Sequence, residues 1–428
     1  MTSSHPFLMR QIKDIHKGGI PVFLRKVRSL LSVIFLMKNQ IQMLAFVPFV
    51  ILIRLLKPII VLRFGPLISD RIGHLAANTE LYLCEKHISQ SEKAVSDFLY
   101  IRKPVSNSQL VKMWKRRLKI FAVAENIDKC NRKLPGGSVH YVPMIERGDR
   151  DTRDLLSGSR PHLYFTDTEL QRGKVFLKKF GIRDKNSFVC FHGRDPHYIR
   201  NLARLQSRSH PSKVGSRKHD YRNSDIDSFI PAMEELSDKG YYCFRLGAIV
   251  QKSIRTQNSR IVDYACNGMR TEFLDIFLSA NCRFLVTDPS GIESVSMIFR
   301  VPLIHVNMVP LELTSTYVKD CLFIPKKLWL KNEHRFMTFR EIFESGAGRF
   351  YHTEKYENSG IVVVQNSPEE IEDVVLEMEA RLNGTWIDNS ELDSLQEKFW
   401  NLFPQSELHG RFRARIGTSF LQRNLDLF

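Results

Sequence analysis

No G-x-x-x-x-G-K-[ST] loop occurs in the 428 residues, which argues against a P-loop kinase or ATPase. No G-x-G-x-x-G turn follows a strand-like run, so the fingerprint of a nicotinamide dinucleotide site is missing too. The seven cysteines (Cys84, Cys130, Cys190, Cys243, Cys266, Cys282 and Cys321) are scattered, with no C-x-x-C pair and no histidine cluster at metal-ligand spacing. This pattern predicts a reducing compartment and no structural zinc. Apolar length is short as well. The strongest run, from Met43 to Ile53, is half of the roughly 20 residues that cross a bilayer. Acid is scarce at the start: residues 1–60 hold nine Lys or Arg against Asp14 alone, a large share of the overall +17 charge.

What is present is a globular composition, 43% hydrophobic and 11% aromatic, long enough for two domains with appendages. The basic, apolar start (1–57) reads as an arm lying on an anionic membrane surface, with basic residues toward headgroups and Phe, Leu and Ile toward acyl chains. A membrane span over Ile41 to Leu62 and a buried core helix are the other readings. Residues 58–185 alternate strand and helix patterns and read as a first α/β domain. The strand ending at Phe64 leads through Gly65–Asp70 to a helix carrying Gly73 and His74, and a basic helix spans Asn107 to Phe121. Near a carboxylate such as Asp70, His74 has the makings of a general base; it reads equally as a histidine that ties the loop down.

The alternation is clearer over 186–385. Phe188–Phe191, Tyr241–Phe244, Ile261–Val262, Phe284–Thr287, Pro302–Val306 and Ile361–Val364 are short apolar runs of the kind buried in parallel sheets, with helix patterns between them. Three helices carry Ser/Thr-x-x-Glu capping boxes, at Thr166, Ser290 and Ser367. In a doubly wound sheet ligands sit at the carboxyl ends of the strands. The residues there are His192, Gly193, Arg194, Arg245, Gly247, Asp288, Ser290 and Gly291, with Glu293 completing the Ser290 box. Two arginines and a capped helix start on one rim suit a diphosphate.

On these residues the chain resembles the GT-B glycosyltransferases, which pair two Rossmann-like domains across a cleft. His192-Gly-Arg-Asp195 resembles the His-x-Arg motif of the fucosyltransferase-like members. Ile72–Ala76, Asp220–Asp225, Tyr242–Gly247, Asp263–Ala265, Phe273–Asn307 and Ala414–Phe420 are similar, in order, to a bacterial family of surface-polysaccharide glycosyltransferases. The resemblance implies donor contacts at Arg194, Arg245, Ser290 and Gly291, with His74 facing the acceptor. It also implies a C-terminal segment, 386–428, that crosses back onto the first domain. The implied activity moves a sugar from a nucleotide sugar to a lipid-linked or polysaccharide acceptor at the cytoplasmic face of the inner membrane. No cofactor, metal or nucleic acid is expected. The triplet Asp225-Ile-Asp227 opens a helix and reads as first-turn acids rather than as a metal site. Asp288-Pro289 stands where small residues are usual, and it keeps a non-catalytic scaffold of the same fold as the alternative. The basic stretch Pro196–Asn223 does the same for a polyanion-binding protein.

Overall fold

In the computed structural model the described residues are 44–88, 94–144, 148–197, 218–387 and 389–428, together with 14, 17 and 20–27. Much of the N-terminal arm and residues 198–217 of the basic stretch therefore lie outside them. The strands are β1 (Ile60–Leu67), β2 (Ala94–Ile101), β3 (Phe188–His192), β4 (Tyr242–Arg245), β5 (Ile261–Val262), β6 (Leu285–Thr287), β7 (Leu303–Met308), β8 (Cys321–Pro325), β9 (Lys327–Leu330), β10 (Arg335–Phe336), β11 (Ile361–Val364) and β12 (Arg415–Ile416). The helices that matter below are α1 (Val47–Leu55), α2 (Ile72–Ile88), α3 (Ser108–Trp114), α4 (Val123–Lys133), α5 (Asp167–Lys178), α6 (Ile230–Asp238), α7 (Glu272–Asn281), α8 (Glu293–Ile298) and α9 (Pro368–Asn383).

The chain divides into two compact units, and not at the expected residue 185. The described parts of Met1–Pro66, Ser91–Ile101 and Leu118–Pro143 form the smaller unit. Its sheet has two strands, β1 and β2, extended by single bridges from Phe64 to Tyr141 and from Leu99 to Ile120. Phe64, Tyr100 and Ala124 form its core, with Phe98 stacked 5.5 Å from Phe64. Among the described residues this is far short of a second Rossmann-like domain. The basic helix expected up to Phe121 stops at Trp114, because Ile120 leaves helical geometry to bridge Leu99. Arg54, expected to face headgroups, instead donates to Asn131 Oδ1 (2.8 Å), Leu134 O (3.0 Å) and Pro135 O (2.6 Å), fastening α1 to the end of α4. The outer face of α1 is apolar and open: Phe49, Ile51, Leu52 and Leu55 are exposed, and only Val50 is buried. No helix among the described residues is long and apolar enough to cross a membrane.

The larger unit, Leu67–Gln90, Arg102–Arg117 and Met144–Phe428, is built on a seven-stranded sheet of order β12-β8-β7-β6-β3-β4-β5, parallel throughout. From β3 the chain adds β4 and β5 to one side, then returns to lay β6, β7 and β8 on the other. That is the Rossmann order, and its reversal falls between β3 and β6. Phe188, Val189, Cys190 and Phe191 of β3, like Leu285 and Val286 of β6, have no exposed surface, as a strand covered on both faces requires. The helices α2 and α3 belong to this unit: Trp114 Nε1 donates to Leu75 O at 2.9 Å, and α3 packs on α7 through the Asn107 amide and Glu272 O. The capping boxes at Thr166 and Ser367 form as expected and start α5 and α9.

One expectation for the later chain is corrected. β11 is not in the parallel sheet; it pairs antiparallel with β9 in a separate three-stranded sheet. The C-terminal segment supplies the edge strand β12 to the large sheet, and its Arg413 holds Asp154 bidentately. Four apolar residues in a row do not encode which sheet they join: in the small sheet only Ile361 is buried and Val362 is exposed.

Candidate functional site at the sheet switch point

The Rossmann reversal places two loops side by side, one leaving β3 through His192-Gly-Arg194 and one leaving β6 through Asp288-Pro-Ser-Gly291. Asp288 is the hub. It is fully buried, its Oδ2 accepts the Arg194 backbone N–H at 2.7 Å and the Ser224 hydroxyl, and its Oδ1 accepts the Asn307 amide at 3.0 Å. Burial raises its carboxyl above the usual range, and these donors oppose that rise. The residue that departs from the expected pattern thus ties β3, β6 and β7 together at the rim.

Around this hub stands a group of cations with little acid to answer them. Burial and the neighbouring Arg222 bring the Arg194 guanidinium down to about 10, and its Nε is buried without a hydrogen bond. Arg222 donates through Nη2 to Pro289 O at 2.7 Å, and its Nε is also buried and unbonded. Lys326, only 5% exposed, reaches Tyr221 O (3.0 Å) and Asn223 O (2.6 Å), and burial lowers it to about 8. Burial, with Arg222 and Arg194 nearby, holds His219 at about 4, and its ring stacks on His352 at 6.0 Å. Cations held down as Arg194 and Lys326 are gain when an anion enters among them.

His192 is at the same rim with a different role. Its Nδ1 lies 3.2 Å from Ser290 Oγ and 3.3 Å from Thr287 Oγ1. Burial, then Arg245 and Arg194, keep it neutral down to about 4, so it contributes a polar contact and no charge near neutrality. Ser290 does not cap a helix. α8 begins at Glu293 with Ile292 as its uncapped N-cap, and has six residues. Half of the expected box survives, the Ser290 N–H on Glu293 Oε2 at 3.1 Å. The other half is lost because the Ser290 hydroxyl turns to His192 and Thr287. Glu293 also forms a buried ion pair with His305 at 3.2 Å. Burial works against ionising either partner, and their mutual attraction outweighs it, lowering the Glu293 carboxyl and raising His305. The helix start that was expected to bind phosphate therefore already faces a carboxylate.

Three further expected residues serve the framework. Arg245 is 1% exposed and pairs through Nη1 with Asp263 Oδ1 at 3.1 Å, holding the end of β4 to β5. A methyl group on Gly247 would fall 2.5 Å from Val250 Cγ1, and one on Gly291 would fall 3.1 Å from Gly73 N. Gly73 meets Gly291 in return, at 3.1 Å from its Cα. This pair lets the start of α2 rest directly on the loop after β6. Gly193 is less constrained, with Ile226 Cδ1 at 3.1 Å from a built Cβ.

The Gly73–Gly291 contact carries His74 to the rim. Arg71 Nη1 lies 3.2 Å from His74 Nε2, which makes that nitrogen the acceptor and leaves Nδ1–H to donate to Asn78 Oδ1 at 3.0 Å. The carboxylate beside it is Asp149, 3.6 Å from Nδ1, whereas Asp70 lies 3.9 Å from Arg71. Asp149 belongs to a second D-x-D triplet, Asp149-Arg-Asp151, that the sequence reading passed over. Its other members are structural. Asp151 accepts the Leu155 and Leu156 N–H groups, and Arg150 clamps Leu313 O, Thr314 O and Leu408 O.

No protein-family model and no curated protein matches this chain. Solved structures similar to it include the E. coli ADP-heptose lps heptosyltransferase II, at 11% identity and TM-score 0.35, over 61% of this chain and 90% of that one. A glycosyl transferase family 9 protein from Veillonella parvula is similar at 10% identity and TM-score 0.41, over 75% and 96%. A bacterial iron-containing dodecameric glycosyltransferase from enterotoxigenic E. coli follows at 10% and 0.30, over 59% and 61%. Likenesses this distant assign no family to the chain.

Arg222, Lys326, His219, His352 and Asp149 are the rim residues that sequence reasoning did not select. Arg222 sat in stretches noted for their resemblance and for their basic charge, and neither singled it out. Lys326 lies more than a hundred residues after the Tyr221 and Asn223 carbonyls it binds, a separation no spacing rule bridges.

Proposed function

We propose that the chain is a glycosyltransferase that moves a sugar from a nucleotide-sugar donor to a lipid-linked or polysaccharide acceptor, without a metal at the donor site. The observation that carries this reading is the cation cluster of Arg194, Arg222 and Lys326 at the β3/β6 switch point, with buried, unbonded N–H groups on both arginines. A nucleotide diphosphate supplies the missing negative charge, and the same cations stabilise it as it leaves. The donor's phosphates engage Arg194 and Arg222, while Ser290 and His192 offer polar contacts beside them. His74, with its proton on Nδ1, takes the acceptor hydroxyl proton on Nε2 once the exposed Arg71 side chain gives up its bond to that nitrogen.

The apolar outer face of α1, together with the Lys and Arg excess of residues 1–60, supports peripheral attachment to an anionic membrane surface, which is where a lipid-linked acceptor would be met. The second reading, a non-catalytic scaffold of the same fold, draws on the ion pair that commits Arg245 Nη1 to Asp263. A thermal-shift series with UDP-, GDP-, TDP- and CMP-linked sugars, without added metal, separates the two. A ligand at about 100 times its dissociation constant adds about 2.7 kcal/mol to stability. Stabilisation by one diphosphate donor class, lost in Arg194→Ala, followed by sugar transfer in a membrane extract, supports the enzyme. Stabilisation without turnover supports the scaffold, and no stabilisation by any donor defeats the reading.

A further inference from the structure

The helix that presents His74 carries a second group of donors farther along. Glu80 and Cys84 are one turn apart on α2, so their side chains share a face, and both are buried. His162, in the segment before α5, comes down on that face. One ligand atom from each of the three lies within 4.8 Å of the other two. From this juxtaposition we infer that Glu80, Cys84 and His162 form a binding site for a divalent transition metal of the zinc class, separate from the sheet rim.

The donor set decides the class of ion. A thiolate, an imidazole and a carboxylate suit zinc, whereas magnesium and calcium call for oxygen ligands. With bonds of about 2.0 Å to nitrogen and oxygen and 2.3 Å to sulfur, a tetrahedral ion separates its ligand atoms by about 3.3–3.7 Å. His162 Nδ1 and Glu80 Oε1 are already 3.3 Å apart, and that nitrogen is buried without a hydrogen bond. The backbone N–H of His162 lies 3.3 Å from both Glu80 oxygens, which fixes its segment over the carboxylate. Arg300 donates to Glu80 Oε1 at 2.9 Å and also binds Leu156 O and Ser159, so it shapes the same segment. A carboxylate oxygen has two lone pairs, so Oε1 keeps one for the ion. On binding, the Cys84 thiol and the His162 imidazolium, which its contacts with Cys84 and Glu80 hold up to about 9, each release a proton to solvent as the metal–sulfur and metal–nitrogen bonds form; the thiolate adds the negative charge that Glu80, shared with Arg300, does not supply alone. Ser159 Oγ, 3.2 Å from Cys84 Sγ, offers an oxygen for a fourth position.

Such an ion clips the segment before α5 to α2 and takes no part in sugar transfer. The sequence concealed it because His162 is distant in the chain and the pattern holds only one cysteine.

The test is a titration of the metal-stripped full chain with Co2+ and Zn2+. One equivalent of Co2+ gives a thiolate-to-cobalt charge-transfer band in the near ultraviolet, and Zn2+ displaces it and raises the unfolding temperature. Cys84→Ser removes the band, His162→Gln weakens binding about tenfold or more, and Cys266→Ser, which changes an exposed cysteine, leaves both unchanged. A chain that shows no band at saturating Co2+, or one whose band survives Cys84→Ser, overturns the proposal. Should Cys84→Ser not fold, the wild-type stoichiometry and His162→Gln decide it.

Discussion

Arg194 and Arg245 sit at the ends of adjacent parallel strands, and their surroundings are opposite. Arg245, closing β4, is sealed against Asp263, Lys252 O and Cys266, a charge spent on holding two strands. The Nε of both is buried without a hydrogen bond, but Arg194, just past β3, has its backbone N–H on Asp288 and its guanidinium beside a second cation, Arg222. One arginine stabilises the fold, and the other is held in place by the fold at an electrostatic cost. A strand end in a doubly wound sheet predicts proximity to the ligand. Whether the charge is free to meet that ligand depends on which loop crosses in front of it.

The comparison is broken most directly by removing each guanidinium while keeping its bulk. Arg245→Met strands Asp263 without its partner and should lose about 3–5 kcal/mol of stability in urea unfolding, the usual loss when one side of a buried pair is deleted. Arg194→Met should leave the unfolding midpoint nearly unchanged and lower kcat/KM by about 2–4 kcal/mol of transition-state stabilisation, read by donor titration and turnover. If the two variants lose stability equally, the distinction between them fails.

Acid sharpens the same contrast. The folded chain takes up protons at His192 and His219 only near pH 4, whereas unfolded histidine does so near 6.5. Between those values the unfolded state binds more protons, so these histidines contribute stability that is present above pH 6.5 and is lost as pH falls toward 4. Asp275, which burial raises to about 6, gives the opposite slope in part of that window. The histidine contribution is therefore read as the difference between wild type and His219→Asn in thermal midpoints from pH 7 to 4. Inorganic phosphate should shrink that difference by giving the protonated rim a counterion. The smallest expected effect concerns the carboxylates near His74. Asp70→Asn, at an exposed pair with Arg71, should change stability by less than about 0.5 kcal/mol and leave the pH profile of turnover in place. Asp149→Asn, which removes the carboxylate 3.6 Å from His74 Nδ1, should lower kcat/KM more than Asp70→Asn does, measured side by side at one pH.

Legibility differed by feature. β3, β4, β6 and β7 were readable because strands buried on both faces are short continuous apolar runs. The boxes at Thr166 and Ser367 were readable because their partners lie three residues away and nothing competes for them. The same pattern at Ser290 misled, since His192 and Thr287 claim its hydroxyl and His305 attracts Glu293. Gly291 was expected as a donor contact, and its close approach to Gly73, more than two hundred residues earlier, had no signal in the sequence.

The sequence by itself determined the parallel α/β layout of the larger unit and the loops that end on its rim, because period, burial and turn chemistry act over a few residues. Tertiary structure alone decided which cations gather there and which are neutralised, that β11 leaves the sheet and β12 joins it, and that Asp149 rather than Asp70 stands beside His74. Those outcomes depend on pairings across tens to hundreds of residues. A carboxylate or carbonyl several ångströms away sets the charge of a buried group more strongly than any neighbour along the chain.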